Sequence, residues 1–107
     1  MTVQMVRLTA KPESVPELEA AVAGMLDGLR REQPHGTRYA YCRLPDGVSF
    51  LALLELDDGV ENPLFAIPEC REYRERLPEW VVEPAAPQEL DVIADYGLFE
   101  PLRTAAA

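Results

Sequence analysis

The sequence predicts a single α+β domain in which strand, helix, strand, strand, helix and strand follow one another. Apolar residues spaced by four, three and four positions between Leu18 and Leu29 indicate a long amphipathic helix. The seven residues from Arg43 to Ser49 join two strand-like runs, which indicates a hairpin. Right-handed crossovers place both helices on one face of an antiparallel sheet. We therefore expect a ferredoxin-like βαββαβ fold with four strands.

The first and third strands carry apolar side chains on both faces. They are predicted at Val3 to Thr9 and at Phe50 to Leu54. A strand with one face in solvent would alternate between apolar and polar residues. Because two helices cover only one face of such a sheet, a second copy of the chain is expected to cover the other. The sequence therefore predicts a homodimer that pairs sheet to sheet.

Both helices have clear start signals. Ser14 is expected to cap the first helix, and Glu17, three residues later, completes a capping box. Pro34 ends this helix, because proline cannot continue it. The second helix is expected to begin at Pro68. The residues that it should turn towards the core are Cys70, Tyr73 and Leu77.

The remaining strands complete the sheet. Strand two is predicted at Thr37 to Leu44, and the last strand at Glu89 to Tyr96, after a stiff linker at Glu83 to Pro87. One domain is expected to span residues 1–100. Residues 101–107 are expected to form a frayed tail.

The charge of the chain excludes several classes of partner. A formal net charge of -9 repels phosphate backbones and anionic lipids, which argues against nucleic-acid and membrane partners. Neutral, aromatic or cationic ligands are electrostatically easier to admit. The two cysteines lie within apolar patterns, as free thiols do, so a reducing, cytoplasmic location is expected. No metal site is expected from two cysteines and one histidine.

Three segments together resemble the dimeric α/β-barrel superfamily, and its antibiotic biosynthesis monooxygenase (ABM) branch above all. They are a first strand Val6-Arg7-Leu8 that runs into Lys11-Pro12, the hairpin from Tyr39 to Leu56, and the helix start Pro68-Glu69-Cys70-Arg71-Glu72-Tyr73. The resemblance implies homodimers and a ligand pocket between the sheet and the helices. It also implies oxidation of polycyclic aromatic substrates without metal or flavin, through the substrate's own carbanion.

The haem-degrading relatives in that superfamily use a histidine on the second helical segment and an asparagine in the first strand. This chain has Gln4 in the first strand, and its one histidine, His35, follows the first helix. Haem degradation is therefore not expected. The monooxygenase hypothesis depends instead on Trp80, Asn62 and the tyrosines.

The candidate ligand-binding residues are aromatic: Tyr39, Tyr41, Tyr73 and Trp80. Tyr39 and Tyr41 share a strand face, where their hydroxyls would orient a phenolic or quinone substrate. The alternative is that these rings pack in the core or at a subunit interface. His35 and Tyr41 are the candidate catalytic residues, although His35 between Pro34 and Gly36 also fits a solvent-exposed turn.

Two further groups have structural explanations. Arg7 and Arg38 lie within strands and are expected to form salt bridges with Glu55 or Asp91. The acidic residues from Glu55 to Glu61 lack the glycine-fixed loop of a calcium site. The preferred hypothesis is a cofactor-independent monooxygenase or isomerase acting on a small aromatic or polyketide-like metabolite. A non-catalytic ligand-binding or dimerisation module is the alternative.

Overall fold

A computed structural model describes residues 1–98, and the tail predicted at 101–107 lies outside them. The element order agrees with the prediction. Two short 3-10 helices, at Pro12–Ser14 and Pro63–Ala66, precede the two α-helices. The main elements are β1 (Thr2–Thr9), α1 (Val15–Glu32), β2 (Thr37–Arg43), β3 (Ser49–Leu56), α2 (Pro68–Trp80) and β4 (Gln88–Leu90).

The four strands form one antiparallel sheet in the order β2-β3-β1-β4, which confirms the ferredoxin-like arrangement. Leu8 of β1 lies opposite Phe50 of β3, and both side chains point to the helices. Leu18 and Met25 of α1 and Cys70 of α2 complete this core and are almost fully buried. Both helices therefore cover the same face of the sheet.

The start of α1 differs from the predicted capping box. Ser14 is the N-cap residue, but its side chain makes no capping hydrogen bond. It also ends the 3-10 helix that begins at Pro12, so its backbone is helical, with φ −98° and ψ −4°. A capping side chain needs an extended backbone at this position to reach the N–H groups of the first turn. The continuous 3-10 to α transition removes that geometry.

The second face of the sheet carries apolar side chains at its centre. Met5 of β1 lies opposite Leu53 of β3, which lies opposite Ala40 of β2. The predicted Arg38–Glu55 salt bridge is confirmed, with Nε and Oε1 2.7 Å apart, and it lies on the same face. Arg7 is exposed and forms no ion pair within residues 1–98.

The fourth strand is shorter than predicted. It covers Gln88–Leu90 rather than Glu89 to Tyr96. β4 pairs only with β1, and Leu90 lies opposite Val3. Because β1 begins at Thr2, little backbone remains there to pair with residues after 90. Ile93 and Tyr96, at 92% and 100% exposure, project from the segment that follows.

No helix within residues 1–98 is both long and apolar enough to cross a bilayer.

Candidate functional site

A cavity of about 870 Å³ lies between the helix-covered face of the sheet and α2. The strands form its floor, α2 forms one wall, and the 3-10 helix at Pro63–Ala66 and the linker after α2 close its sides. The floor residues are Gln4, Val6, Tyr39, Ala52 and Leu54, and the α2 residues are Cys70, Tyr73, Arg74, Leu77 and Pro78. Most of these side chains are apolar, as in sites for small organic ligands.

The sequence leaves this space open in two ways. Ala52, on the central strand β3, lies between Val6 and Tyr41 in the sheet register, so a small side chain occupies the middle of the floor. After α2, the chain is tied to β1 by the backbone bridge between Ala10 and Val81. It then runs past the cavity, which is lined here by Pro84, Ala85 and Pro87. Proline restricts φ, so this wall is stiff.

Three of the predicted tyrosines come together at the site. The hydroxyls of Tyr41 and Tyr73 are 2.6 Å apart, and their rings meet edge to face at 87°. The ring of Tyr39 lies 6.4 Å from that of Tyr41. Tyr39 and Tyr73 line the cavity. Tyr41 lies outside the lining, where it contacts Tyr73 and packs against Phe50. Distant parts of the chain thus form one aromatic cluster.

Burial raises the pKa of each of these phenols above its ordinary value. For Tyr39 and Tyr41 the neighbouring Tyr73 raises the pKa further, because one phenolate would repel another. For Tyr73 burial dominates, although the hydrogen bond from Tyr41 acts in the opposite direction on its pKa. All three are therefore neutral near pH 7. They can donate hydrogen bonds to a ligand oxygen, but they cannot serve as phenolate bases.

Cys70 lies in the same wall, and burial raises the pKa of its thiol as well. A thiol with a raised pKa is a poor nucleophile at neutral pH. Cys70 is therefore a packing residue of the cavity rather than a reactive one.

Two amide side chains add polarity to the lining. Gln4 projects from β1 into the floor. The side-chain oxygen of Asn62 accepts a hydrogen bond from the backbone N–H of Leu64, at 2.9 Å, and so caps the 3-10 helix beside the cavity. This leaves the amide nitrogen of Asn62 as a donor at the cavity edge.

The other two candidate residues lie elsewhere. His35 is exposed in the loop between α1 and β2 and does not line the cavity. Trp80 is 3% exposed, but it faces the groove between α1 and α2, with the Arg76 guanidinium 5.0 Å from its ring centre. The structure thus brings the tyrosines together and leaves His35 and Trp80 outside the cavity.

Three charged residues in the lining were not among the sequence candidates: Lys11, Arg74 and Glu83. Arg74 follows Cys70 by four positions, the spacing that puts two residues on one helix side. That spacing was the available signal for Arg74. Lys11 and Glu83 had none, because they reach the cavity only through the bridge between Ala10 and Val81.

Three of the four acidic residues from Glu55 to Glu61 pair with cations. Arg38 pairs with both Glu55 and Asp57, and the amino group of Met1 contacts Asp58. In the part of the chain that the structure describes, no cluster of three or more His, Cys, Asp or Glu side chains is arranged to hold a metal ion.

No protein-family model matches the chain, and no curated protein matches it in sequence. Several solved structures share its fold. Rv0793 from Mycobacterium tuberculosis superposes with a TM-score of 0.71 at 20% identity, over 88% of this chain and 96% of that one. A candidate antibiotic biosynthesis monooxygenase from Deinococcus radiodurans gives a TM-score of 0.70 at 15% identity, over 94% and 100%.

A third similar structure is a variant of SnoaB, a cofactor-independent oxygenase from Streptomyces nogalater, in which an asparagine is replaced by alanine. Its TM-score is 0.68 at 16% identity, over 91% of this chain and 97% of that one. These identities show a common fold. The predicted resemblance to ABM-like proteins is therefore confirmed for the architecture.

Proposed function

We propose that this protein binds a small aromatic or polyketide-like metabolite in the cavity and oxidises it as a cofactor-independent monooxygenase. The observation that carries the proposal is the open, mainly apolar cavity of about 870 Å³ with phenol and amide donors in its lining. A protein that served only to dimerise would have no need of this space. The fold shared with a cofactor-independent oxygenase agrees with the proposal but does not decide it.

The proposed chemistry uses the reactivity of the substrate. A ring methylene conjugated with a carbonyl, as in an anthrone, loses a proton to give an enolate, which passes an electron to dioxygen, and the two radicals then combine. Loss of water from the resulting peroxide leaves a new carbonyl, so that one methylene and one dioxygen give one carbonyl and one water. Tyr39 and Tyr73 would donate hydrogen bonds to the enolate oxygen, which lowers the free energy of the deprotonated substrate.

The alternative is a ligand-binding module without catalysis, and one observation favours it. The phenols of the cavity have raised pKa values, and His35 lies outside, so neither supplies a base inside the cavity. The carboxylate of the described lining, Glu83, is exposed, so in the monooxygenase proposal the substrate gives up its proton to Glu83 or to water at the cavity mouth. A ligand that binds and is released unchanged would support the binding module.

Oxygen uptake separates the two functions. We expect anthrone-type phenols to be oxidised to quinones faster with the protein than without it, as followed by an oxygen electrode and by quinone absorbance. Tyr73→Phe should slow this turnover by roughly tenfold or more, because it removes a hydrogen bond to developing negative charge. Tyr96→Phe makes the same chemical change at a fully exposed residue and should have no effect. If the anthrone-type phenols bind but none causes oxygen uptake, the oxygenase function is contradicted and the ligand-binding function is supported.

We also propose that the protein forms a homodimer through the second face of its sheet, in a reducing, cytoplasmic environment. Met5, Leu51 and Leu53 form an apolar centre on that face, next to the free thiol of Cys42. Sedimentation should give twice the monomer mass. Leu53→Arg should shift it to the monomer, because burying the new charge is costly, whereas Glu75→Arg on the exposed side of α2 should not. A monomeric wild type would contradict this proposal.

A further inference from the structure

The cavity lining carries a net positive charge, whereas the chain as a whole carries a net negative charge. The chain carries a formal net charge of -9. The cavity has the cations Lys11 and Arg74 against the single carboxylate of Glu83. A local excess of positive charge in an acidic protein requires a specific explanation, since most surface potential here is negative.

Most basic side chains within residues 1–98 form ion pairs with carboxylates. Within residues 1–98, five of the nine lysine and arginine side chains form ion pairs: Arg30, Arg31, Arg38, Arg43 and Arg76. The described part of the chain provides no such pair for Lys11 or Arg74. These two therefore keep their charge available to a ligand.

The backbone holds both cations at the rim of the cavity. The N–H of Lys11 donates to the carbonyl of Trp80 at 2.7 Å, which fixes Lys11 beside the end of α2. Arg74 lies on α2, about 9 Å from Trp80 along the helix axis at 1.5 Å per residue. Its guanidinium stacks 4.1 Å from the ring centre of Phe65, which also lines the cavity, and no hydrogen bond within residues 1–98 uses its N–H groups.

We propose that the ligand is an anionic aromatic compound, whose rings occupy the apolar cavity and whose carboxylate or equivalent anion is bound at the rim by Lys11 and Arg74. The inference rests on the proposed ligand cavity and narrows its substrate class. The net charge of the chain alone would favour neutral or cationic ligands. Coulomb energy falls with distance, and salt screens exposed charges beyond about 10 Å. The potential at the cavity is therefore set mainly by the cations that line it. Tyr73 and Gln4, which also line the cavity, are left for ring oxygens.

Two fluorescent probes with the same ring system test this proposal. Anilinonaphthalene sulfonate carries an anion, and phenylnaphthylamine lacks it. We expect the sulfonate to bind the wild type more tightly than the neutral dye. Lys11→Gln and Arg74→Gln should each weaken sulfonate binding roughly two- to fivefold, the range for exposed charge pairs. Neither should change the affinity of the neutral dye.

Two control variants make the result specific. Arg30→Gln removes the same charge from an exposed position on α1, outside the cavity, and should leave both affinities unchanged. Ala85→Trp places a large ring in the cavity from the linker and should weaken both dyes, which locates their binding. Equal losses for both dyes in Lys11→Gln and Arg74→Gln, or an Arg30→Gln effect of the same size, would overturn the anion site.

The failure of this inference differs from failure of the proposed function. If the neutral dye binds in the cavity and the sulfonate binds no better, the ligand site stands and only the anion preference is wrong. If Ala85→Trp leaves the affinity of both dyes unchanged, the cavity does not bind aromatic compounds and both proposals fail.

Discussion

Tyr41 and Tyr73, 32 positions apart in the chain, join β2 to α2 through a hydrogen bond of 2.6 Å between their hydroxyls. The bond is part-buried and lies directly behind the cavity wall. It therefore ties the geometry of the candidate site to the stability of the fold.

Removing either hydroxyl should destabilise the protein and reveal this coupling. Tyr41→Phe and Tyr73→Phe should each lower the free energy of unfolding by about 1–2 kcal/mol, because each leaves a buried hydroxyl without its partner. The double variant should cost about 0.5–1.5 kcal/mol less than the sum. Urea unfolding of the four proteins completes the cycle, with Tyr96→Phe as the exposed control. Strict additivity would show that the two hydroxyls do not interact in solution.

The stability should also fall at alkaline pH. Burial raises the pKa of the phenols of Tyr39, Tyr41 and Tyr73 above the value of about 10 expected in the unfolded chain. A raised folded-state pKa means that the stabilisation is present below pH 10 and is lost as pH rises through the folded-state values. Tyrosinate absorbance and circular dichroism should therefore change together above pH 10. Ionisation of all four tyrosines near pH 10 with the fold intact would contradict this.

The two glycines of α1 should respond oppositely to alanine. A Cβ on Gly28 would lie 2.9 Å from Cγ2 of Ile67 and 2.9 Å from Oε1 of Glu69, whereas Gly24 has open space around it. Gly24→Ala should stabilise the protein by up to about 1 kcal/mol through helix propensity. Gly28→Ala should instead destabilise it by about 1–2 kcal/mol, because the buried Ile67 must move. Thermal unfolding measures both, and equal gains would show that the helices are not in close contact there.

The ion pair of Arg38 should contribute more to the free energy of unfolding than the ion pair of Arg43. Glu55 is 6% exposed, and its Oε2 has no partner within residues 1–98. Arg38→Ala would leave this buried carboxylate without its cation and should cost about 1–3 kcal/mol, less than a fully buried pair because Arg38 is one-third exposed. Arg43→Ala breaks an exposed pair with Glu19 and should cost under about 1 kcal/mol. Equal costs in urea at matched protein concentration would argue against the difference in burial.

Local patterns predicted the elements of this fold because helices and strands follow from the spacing of apolar residues. Leu18, Met25 and Leu29 form the buried side of α1, as their spacing indicated. Ser14 is the N-cap residue as predicted, but the predicted capping box is absent because the neighbouring 3-10 helix sets the backbone of Ser14. The predicted length of the last strand was wrong because β1 begins at Thr2, which leaves little backbone to pair with residues after Leu90.

The sequence by itself determined the order of the elements, the ferredoxin-like sheet and the fact that Tyr39 and Tyr41 share one strand face, since periodicity acts within a few residues. Only the tertiary structure decided which aromatic residues share a cavity. Tyr73 points towards Tyr41, and Trp80, seven residues further along the same helix, faces α1 instead. The cations Lys11 and Arg74 also line one cavity only through the tertiary structure. A cavity forms where segments from distant parts of the chain leave space between them. Local sequence patterns cannot predict that space, because it depends on how these segments pack.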